Sequence, residues 1–167
     1  MLYYTNINTP VGILGLVKDD ISLLRIYLPN ELISEQILQK YYPSVDFVEN
    51  KSGFEDTINQ LNEYFDGQRE VFTIKIKIET PSFYKKALAE VSKIPYGKTA
   101  SYSKIAQKLN NPNAARAVGS ANARNPLPII IPCHRIIAKN GKLGGYAGGL
   151  KMKKYLLEFE RNNLNSD

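Results

Sequence analysis

The sequence predicts an α+β chain: a small N-terminal domain of antiparallel sheet and helix, followed by a mainly helical domain that carries a helix-turn-helix. Three observations lead there. The first third alternates apolar and polar residues in short runs, as half-buried strands do. From Phe83 onward the apolar residues recur at helical spacing. The charge also changes sign, with 7 Lys+Arg against 12 Asp+Glu in residues 1–79 and 15 against 4 in residues 80–167. The expected domains are therefore 1–79 and 80–167.

Each element has its own signal. Leu2 to Ile7, Ile13 to Lys18 and Ser22 to Leu28 alternate, and Thr9-Pro10-Val11-Gly12 and Asp19-Asp20 separate them, which reads as an antiparallel meander. Glu31 to Tyr41 and Phe54 to Phe65 have helical spacing, the second with Ile58, Leu61 and Phe65 on one side and Gly67 as its stop. Val71 to Ile78 alternates again and predicts one more strand. Thr80 followed by Pro81 makes an N-cap and first turn for a helix carrying Phe83, Ala87, Leu88, Val91 and Ile94, ended by Pro95-Tyr96-Gly97. Ser101 opens the next helix, with Tyr102, Ile105, Ala106 and Leu109 along one face. The turn Asn110-Asn111-Pro112-Asn113 leads into a further helix over 113–123. Two short helices joined by a tight turn in the basic half predict the helix-turn-helix. The apolar run Leu127 to Ile131 should be buried. A last helix from Leu150 to about Asn162 should bury Met152, Tyr155, Leu156 and Phe159.

Composition narrows the function. The 167-residue chain has no apolar run of the ~18 residues that a membrane span needs, and its N-terminus lacks the pattern of a signal peptide, so a soluble, intracellular protein is expected. One cysteine and one histidine can build neither an internal disulfide nor the usual four-ligand zinc site, so no structural metal is expected. A half as basic as residues 80–167 favours a polyanion, of which nucleic acid is the commonest.

The single cysteine and single histidine are neighbours, in Pro132-Cys133-His134-Arg135. The buried run and the fixed φ of Pro132 give Cys133 the rigid approach that a positioned nucleophile needs; a free cysteine is otherwise most often a small core hydrophobe. In an extended segment the two side chains point to opposite sides, so a bridging water suits a proton relay better than direct contact. His134 would then need an acid to hold its tautomer. The second half offers Glu90, Glu158, Glu160 and Asp167, and spacing does not choose between Glu158 and Glu160. The helix over 113–123 is built of small residues around Arg116: Ala114, Ala115, Ala117, Gly119, Ser120, Ala121 and Ala123. Small side chains allow close approach to another surface, and Gly119 costs ~1 kcal/mol against alanine, which suggests a steric demand. Within Asn140 to Gly149, Gly144-Gly145 and Gly148-Gly149 set four glycines around Tyr146, as a loop covering a flat ligand would, although Asn140-Gly141 is equally a hairpin turn.

The run NPNAARAVGSANARNPLPIIIPCHRII, followed by GGYAGG and YLLEFE, closely resembles the O6-alkylguanine-DNA alkyltransferase family over about residues 80 to 161, and an α+β domain ahead of these motifs agrees with that family's architecture. The resemblance implies single-turnover transfer of an alkyl group from O6-alkylguanine, and from O4-alkylthymine, in double-stranded DNA to Cys133. His134, a water and Glu160 would form the activating relay, and Tyr102 would donate a proton to the guanine. Arg116 would enter the duplex where the flipped nucleotide had been, with Ala114, Ala115, Ala117, Gly119 and Ser120 lying in the minor groove. Asn125 would be the hinge, grouped with Pro128 and Arg135, and Tyr146, Ala147 and Gly148 would belong to the loop that binds the base. Ala147 stands where some relatives carry serine or a larger residue, so one contact to the base would be missing. The resemblance further implies no cofactor, no metal, a monomer, and a cytoplasmic location, nucleoid-associated in a prokaryote.

Physics agrees with these roles. A base buried in a duplex must be brought out before chemistry, at a cost of a few kcal/mol. Small residues suit the narrow minor groove. Three other readings compete. A non-catalytic sensor that binds and flips the lesion would lack the reactive cysteine, and Cys133 argues against it. A sequence-specific regulator would need base-reading side chains that Ala114 to Ala123 does not offer. A cysteine hydrolase usually has its histidine distant in sequence.

Overall fold

Strands β1 (Leu2–Thr9), β2 (Gly12–Lys18) and β3 (Leu23–Tyr27) form the expected antiparallel meander in the computed structural model, which describes residues 1–29 and 32–165. Their inward side chains, including Tyr4, Val17 and Tyr27, join Ile33, Leu38 and Phe47 in a buried cluster. The first helix, α1, runs Glu35–Tyr41, with the Ser34 side chain accepting from the Ile37 amide. Glu31, where the sequence started this helix, lies outside the described residues.

The fourth strand is not the expected one. It is β4 (Phe47–Glu49), which pairs parallel to β1 and gives the sheet order β3-β2-β1-β4. Three residues are too few to show an alternation, so nothing in the pattern marked it. Val71 to Ile78 does alternate, yet makes only an isolated bridge between Ile76 and Leu23. The side chain of Gln60, on α2 (Glu55–Phe65), occupies this segment instead: its Oε1 accepts from the Thr73 amide at 2.9 Å and its Nε2 donates to Thr73 Oγ1 at 3.1 Å. With the Thr73 amide taken by a side chain, the Lys75 carbonyl and Lys77 amide both bonded to the single residue Leu23, and Val71 70% exposed, the segment is not a sheet strand.

The chain divides into two units, Met1–Lys77 and Ile78–Asp167. In the second, α3 (Ser82–Val91), α4 (Tyr102–Lys108) and α5 (Ala115–Ala123) pack on one another. Pro81, with φ −50° and ψ 146°, is itself the N-cap of α3, so Thr80 stands one residue too early for the expected cap. Ser101 caps α4, accepting from the Lys104 amide at 3.1 Å. A 3₁₀ turn over Pro112–Ala114 leads into α5, which starts two residues later than expected. Helices α4 and α5 form the helix-turn-helix. Short strands β5 (Ala100–Ser101) and β6 (Ile136–Ile137) pair in parallel and tie the start of α4 to the segment after Cys133. The last helix, α6, spans Leu150–Leu164. No helix among the described residues is long and apolar enough to cross a membrane.

The turn Pro95-Tyr96-Gly97 ends on a glycine for two reasons. Gly97 has φ +65°, and a Cβ there would lie 2.3 Å from Leu164 Cδ1. Gly97→Ala is expected to destabilise the protein by about 1–2 kcal/mol through the left-handed backbone, and by more where Leu164 must move. Urea unfolding of the two proteins measures the difference.

Candidate active site

The segment leading to Cys133 is held under tension. Ile129, a buried β-branched residue, has φ +74°, a conformation that costs of order 1–3 kcal/mol and persists only where the surroundings impose it. Asn125 imposes it: its Nδ2 donates to the Ile131 carbonyl at 2.9 Å, and its Oδ1 accepts from the Leu127 amide at 3.0 Å. Pro132 follows with φ −78° and ψ 63°, and the Cys133 amide donates back to the Ile131 carbonyl at 2.7 Å. This is an inverse γ-turn, which the proline ring favours by fixing φ.

Cys133 then opens a 3₁₀ turn, Cys133–Arg135. The expected extended segment is therefore replaced by a turn in which neighbouring side chains diverge by about a third of a revolution. Cys133 is 3% exposed. Burial pushes its thiol up to about 11, against smaller lowering effects from the Asn125 side chain and the Lys153 charge.

The next two residues meet α6. His134 and Glu160 are wholly buried, with His134 Nε2 2.6 Å from Glu160 Oε1. Arg135 donates from Nε to Glu160 Oε2 at 2.9 Å, from Nη2 to Oε1 at 3.0 Å, and from Nη1 to the Ile94 carbonyl at 2.7 Å. The Gly97 amide adds a further bond to Glu160 Oε2 at 3.0 Å. Burial alone would raise the Glu160 carboxyl, but the hydrogen bonds and charges of His134 and Arg135 outweigh it and hold the group at about 2. An ionised carboxylate only accepts, so His134 Nε2 carries the hydrogen and donates. Burial lowers the His134 imidazole below its ordinary value despite Glu160, so it is neutral at pH 7 and its Nδ1 holds the free lone pair. That Nδ1 is buried and has no partner among the described residues. The arrangement presents a base one residue from a thiol.

Beside this cluster lies a cavity of about 380 Å³ lined by Tyr102, Gly119, Asn122, Ala123, Gly145, Tyr146 and Ala147. The Tyr102 ring lies over Gly119, where an added Cβ would sit 3.7 Å from it, and under Gly144, where one would sit 2.9 Å from its hydroxyl. The contact at Gly119 is an ordinary one, so the steric demand read into that glycine does not come from its neighbours in the fold. Burial and proximity to Cys133 raise both the Tyr102 and Tyr146 phenols, which keeps both as donors. Lys153, fully buried on α6, fixes the loop on the cavity's other side: Nζ donates to the carbonyls of Ile136 at 2.5 Å, Gly145 at 3.2 Å, and Leu143.

The chain matches two family models, the ribonuclease-like domain of 6-O-methylguanine DNA methyltransferase over residues 2–78 and the DNA binding domain of the same protein over residues 82–162. The chain belongs to the 6-O-methylguanine DNA methyltransferase family. It is 42% identical to a methylated-DNA–protein-cysteine methyltransferase of Methanosarcina mazei, over 98% of this chain and 99% of that one. Among solved structures it is similar to the O6-methylguanine methyltransferase of Mycobacterium tuberculosis, with a TM-score of 0.88, 34% identity, and 100% and 97% of the two chains covered. A crystal structure of OGT from that organism in complex with DNA gives a TM-score of 0.86 at 35% identity, covering 96% of this chain and 94% of that one.

The structure distributes the residues named from sequence as follows. Cys133, His134, Glu160 and Asn125 come together, and Tyr102, Tyr146, Ala147 and Gly119 line the neighbouring cavity. Arg135, grouped with the pocket and hinge, instead braces Glu160, and Pro128 is buried in the strained loop. Gly148 lies in the turn closed by Gly149 N–H donating to the Tyr146 carbonyl at 3.0 Å. Arg116 is exposed on α5, with Ala115, Ala117 and Ser120 half-buried beside it, whereas Ala114 is turned inward at 9% exposure. Glu158, the rival acid, is half-exposed and pairs with Lys154 at 3.8 Å; Asp167 lies outside the described residues. The expected buried face of α6 also changes, because Tyr155 is 40% exposed while Met152, Lys153, Leu156 and Glu160 are buried. Reading the helix by its large apolar side chains put its face about one residue off. Lys153, Asn122 and the Gly97 amide were missed, although Lys153, Leu156 and Glu160 at i, i+3 and i+7 were a readable stripe.

Two outcomes follow from these charges. Glu160 stabilises the fold above its ordinary value of 4.5, and this is lost as pH falls towards 2. His134, held below 6.5, adds to the acid loss because the unfolded chain takes up that proton first. Glu160→Gln leaves the Arg135 charge without its partner and is expected to cost about 3–5 kcal/mol at pH 7, with the gap to wild type narrowing below pH 4.5; melting temperatures across pH measure it. Lys153→Met, which strips the donor from three carbonyls, is expected to cost about 3 kcal/mol or more and to speed amide exchange in residues 143–146.

Proposed function

We propose that this protein repairs alkylated DNA by moving the alkyl group of O6-alkylguanine, and of O4-alkylthymine, irreversibly onto its own Cys133. The observation that carries the reading is the buried His134–Glu160 pair beside the only cysteine, with the imidazole held neutral and its Nδ1 free to take a proton. The family, and relatives named methylated-DNA–protein-cysteine methyltransferase, support DNA alkyl repair as the activity.

The chemistry runs as a displacement at carbon. The Cys133 thiol passes its proton through a bridging water to His134 Nδ1, and Glu160 carries the charge that develops on the ring. The sulfur attacks the alkyl carbon, the carbon–oxygen bond breaks, and the electron pair leaves on the base. Tyr102 donates a proton to the guanine, which makes it a better leaving group, so that overall the base regains the hydrogen the thiol gave up. A thioether results, which water does not cleave at neutral pH, and the protein acts once.

The base has to leave the duplex to reach the cavity. Arg116 is exposed on a helix of small residues and would fill the gap, with α5 in the minor groove. Asn125 would act as the hinge, and Tyr146, Ala147 and Gly148 would hold the base. Arg135 would serve the site by holding Glu160. The residues 80–167 would carry both DNA binding and transfer, in a cytoplasmic monomer, and binding would depend on backbone charge more than on base sequence.

Intact mass after incubation with a duplex carrying O6-methylguanine tests the reading. The expected gain is one methyl group, about 14 Da, confined to Cys133 and absent in Cys133→Ala. His134→Gln should still bind the duplex but transfer about 10²–10⁴-fold more slowly. The acid limb of the wild-type rate should lie below pH 6.5, where a neutral His134 is lost. Tight binding with no mass gain would leave a lesion sensor in place of a transferase.

A further inference from the structure

We propose that Tyr96 is a positioning residue for the proton relay: its ring holds the Arg135 guanidinium on Glu160 and so limits how much of that carboxylate's charge reaches His134. This rests on the alkyl-transfer reading above and adds to it a residue that acts only through Arg135.

Glu160 is divided between two donors. Its Oε1 faces both His134 Nε2 at 2.6 Å and Arg135 Nη2 at 3.0 Å, while Oε2 faces Arg135 Nε at 2.9 Å. The imidazole and the guanidinium therefore compete for one oxygen. A guanidinium seated on Oε1 draws charge away from the ring, and one that is withdrawn leaves that charge to His134.

The turn over 94–97 decides where the guanidinium sits. The Ile94 carbonyl accepts from Arg135 Nη1 at 2.7 Å, the Arg135 Cζ lies over the Tyr96 ring at 5.6 Å from its centroid, and the Gly97 amide donates to Glu160 Oε2 at 3.0 Å. One turn thus grips the cation by an acceptor and a ring face, and the anion by a donor. Of the three groups only Tyr96 acts through its side chain. A guanidinium within about 6 Å of a ring centroid is drawn to the negative face of the ring, more strongly away from water, and Tyr96 and Arg135 are both buried. The ring is fixed in turn from α6, where Asn163 Nδ2 donates to the Tyr96 hydroxyl at 3.1 Å. Glu160 and Asn163 are neighbours at i and i+3 on that helix, so α6 presents the carboxylate and seats the ring that governs its partner.

The charges that face His134 are Glu160 and Lys153 from α6 and Arg135 beside it, with the protonated Cys133 and Tyr146 near the same cluster. Burial, Arg135 and Lys153 lower the imidazole and Glu160 raises it. A substitution at Tyr96 leaves Glu160 and Lys153 in place, so a change at His134 reports the guanidinium.

His134 is the only histidine of the chain, so NMR of its ring reads the relay without DNA. In Tyr96→Leu the pH at which His134 titrates should rise by about 0.5–1 pH unit. Its Nε2–H signal should move downfield at pH 7, and the acid limb of Cys133 methylation from an O6-methylguanine duplex should rise with it. Tyr96→Phe keeps the ring face and should hold wild-type values. A phenylalanine with a fluorinated ring at position 96 fills the same volume with a weakened face, and should fall between Tyr96→Phe and Tyr96→Leu; it serves where the leucine variant does not fold. Packing alone would lower the melting temperature of Tyr96→Leu and leave the titration, the signal and the acid limb where they are. That result, or a fluorinated ring that behaves as Tyr96→Phe does, overturns the inference while leaving alkyl transfer intact. NMR changes as expected, with no methylation of Cys133 in wild type, would instead overturn the reading on which it rests.

Discussion

The site depends on one buried carboxylate. Glu160 accepts hydrogen bonds from two turns of the second unit: the His134 ring and the Arg135 guanidinium, twice, from one, and the Gly97 amide from the other. Burying a charge costs several kcal/mol unless it is paired and its lone pairs are filled. Here both conditions hold, and the bidentate Arg135 fork adds direction to the charge. Two chain turns and the last helix are thereby locked to a common point. The His134 tautomer follows, since only an Nε2–H can face an acceptor that stays ionised.

Cys133 is placed by a different device. The left-handed Ile129 and the γ-turn at Pro132 bend the chain sharply within four residues, and Asn125 closes the bend with two bonds of its own. Strain of this kind gives a fixed geometry, because any relaxed backbone would carry the sulfur elsewhere. Asn122 and β6 hold the far side of the same turn, through the Cys133 carbonyl and the pairing of Ile136 with Ala100.

What the sequence shows depends on whether the signal is local. The meander, α2 and the helix-turn-helix were legible because alternation, helical spacing and caps such as Ser101 lie within a few residues of the element they set. The strand β4 was not, being three residues long and stabilised by pairing with a distant β1. Val71 to Ile78 has the right alternation, but Gln60, thirteen residues before Thr73, takes the Thr73 amide, and the Lys75 carbonyl and Lys77 amide both bond to the single residue Leu23. At the site, the composition singled out Cys133 and His134, whereas the choice of Glu160 over Glu158 depended on which face of α6 is buried. That face contains Lys153 and Glu160, and charged residues are read as solvent-facing until their partners are known. Both partners, the loop carbonyls and the His134–Arg135 pair, come from segments that no spacing rule connects to α6.

Burial and the neighbouring charges act on the Cys133 thiol in opposite directions. With Glu160 ionised, and Arg135 and Lys153 positive, the cluster carries one net positive charge before Cys133 ionises. Burial lowers Lys153 to about 8 and the Cys133 charge acts to raise it, so a forming thiolate and the lysine stabilise each other. The thiol at about 11 therefore stays neutral and inert at rest, and the field around it favours negative charge only as the proton leaves. A thiol that keeps its proton is held back from adventitious electrophiles and oxidants, and the unpartnered base beside it among the described residues is the His134 Nδ1. Under the proposed function a standing thiolate would be consumed without a lesion, which the burial of Cys133 prevents.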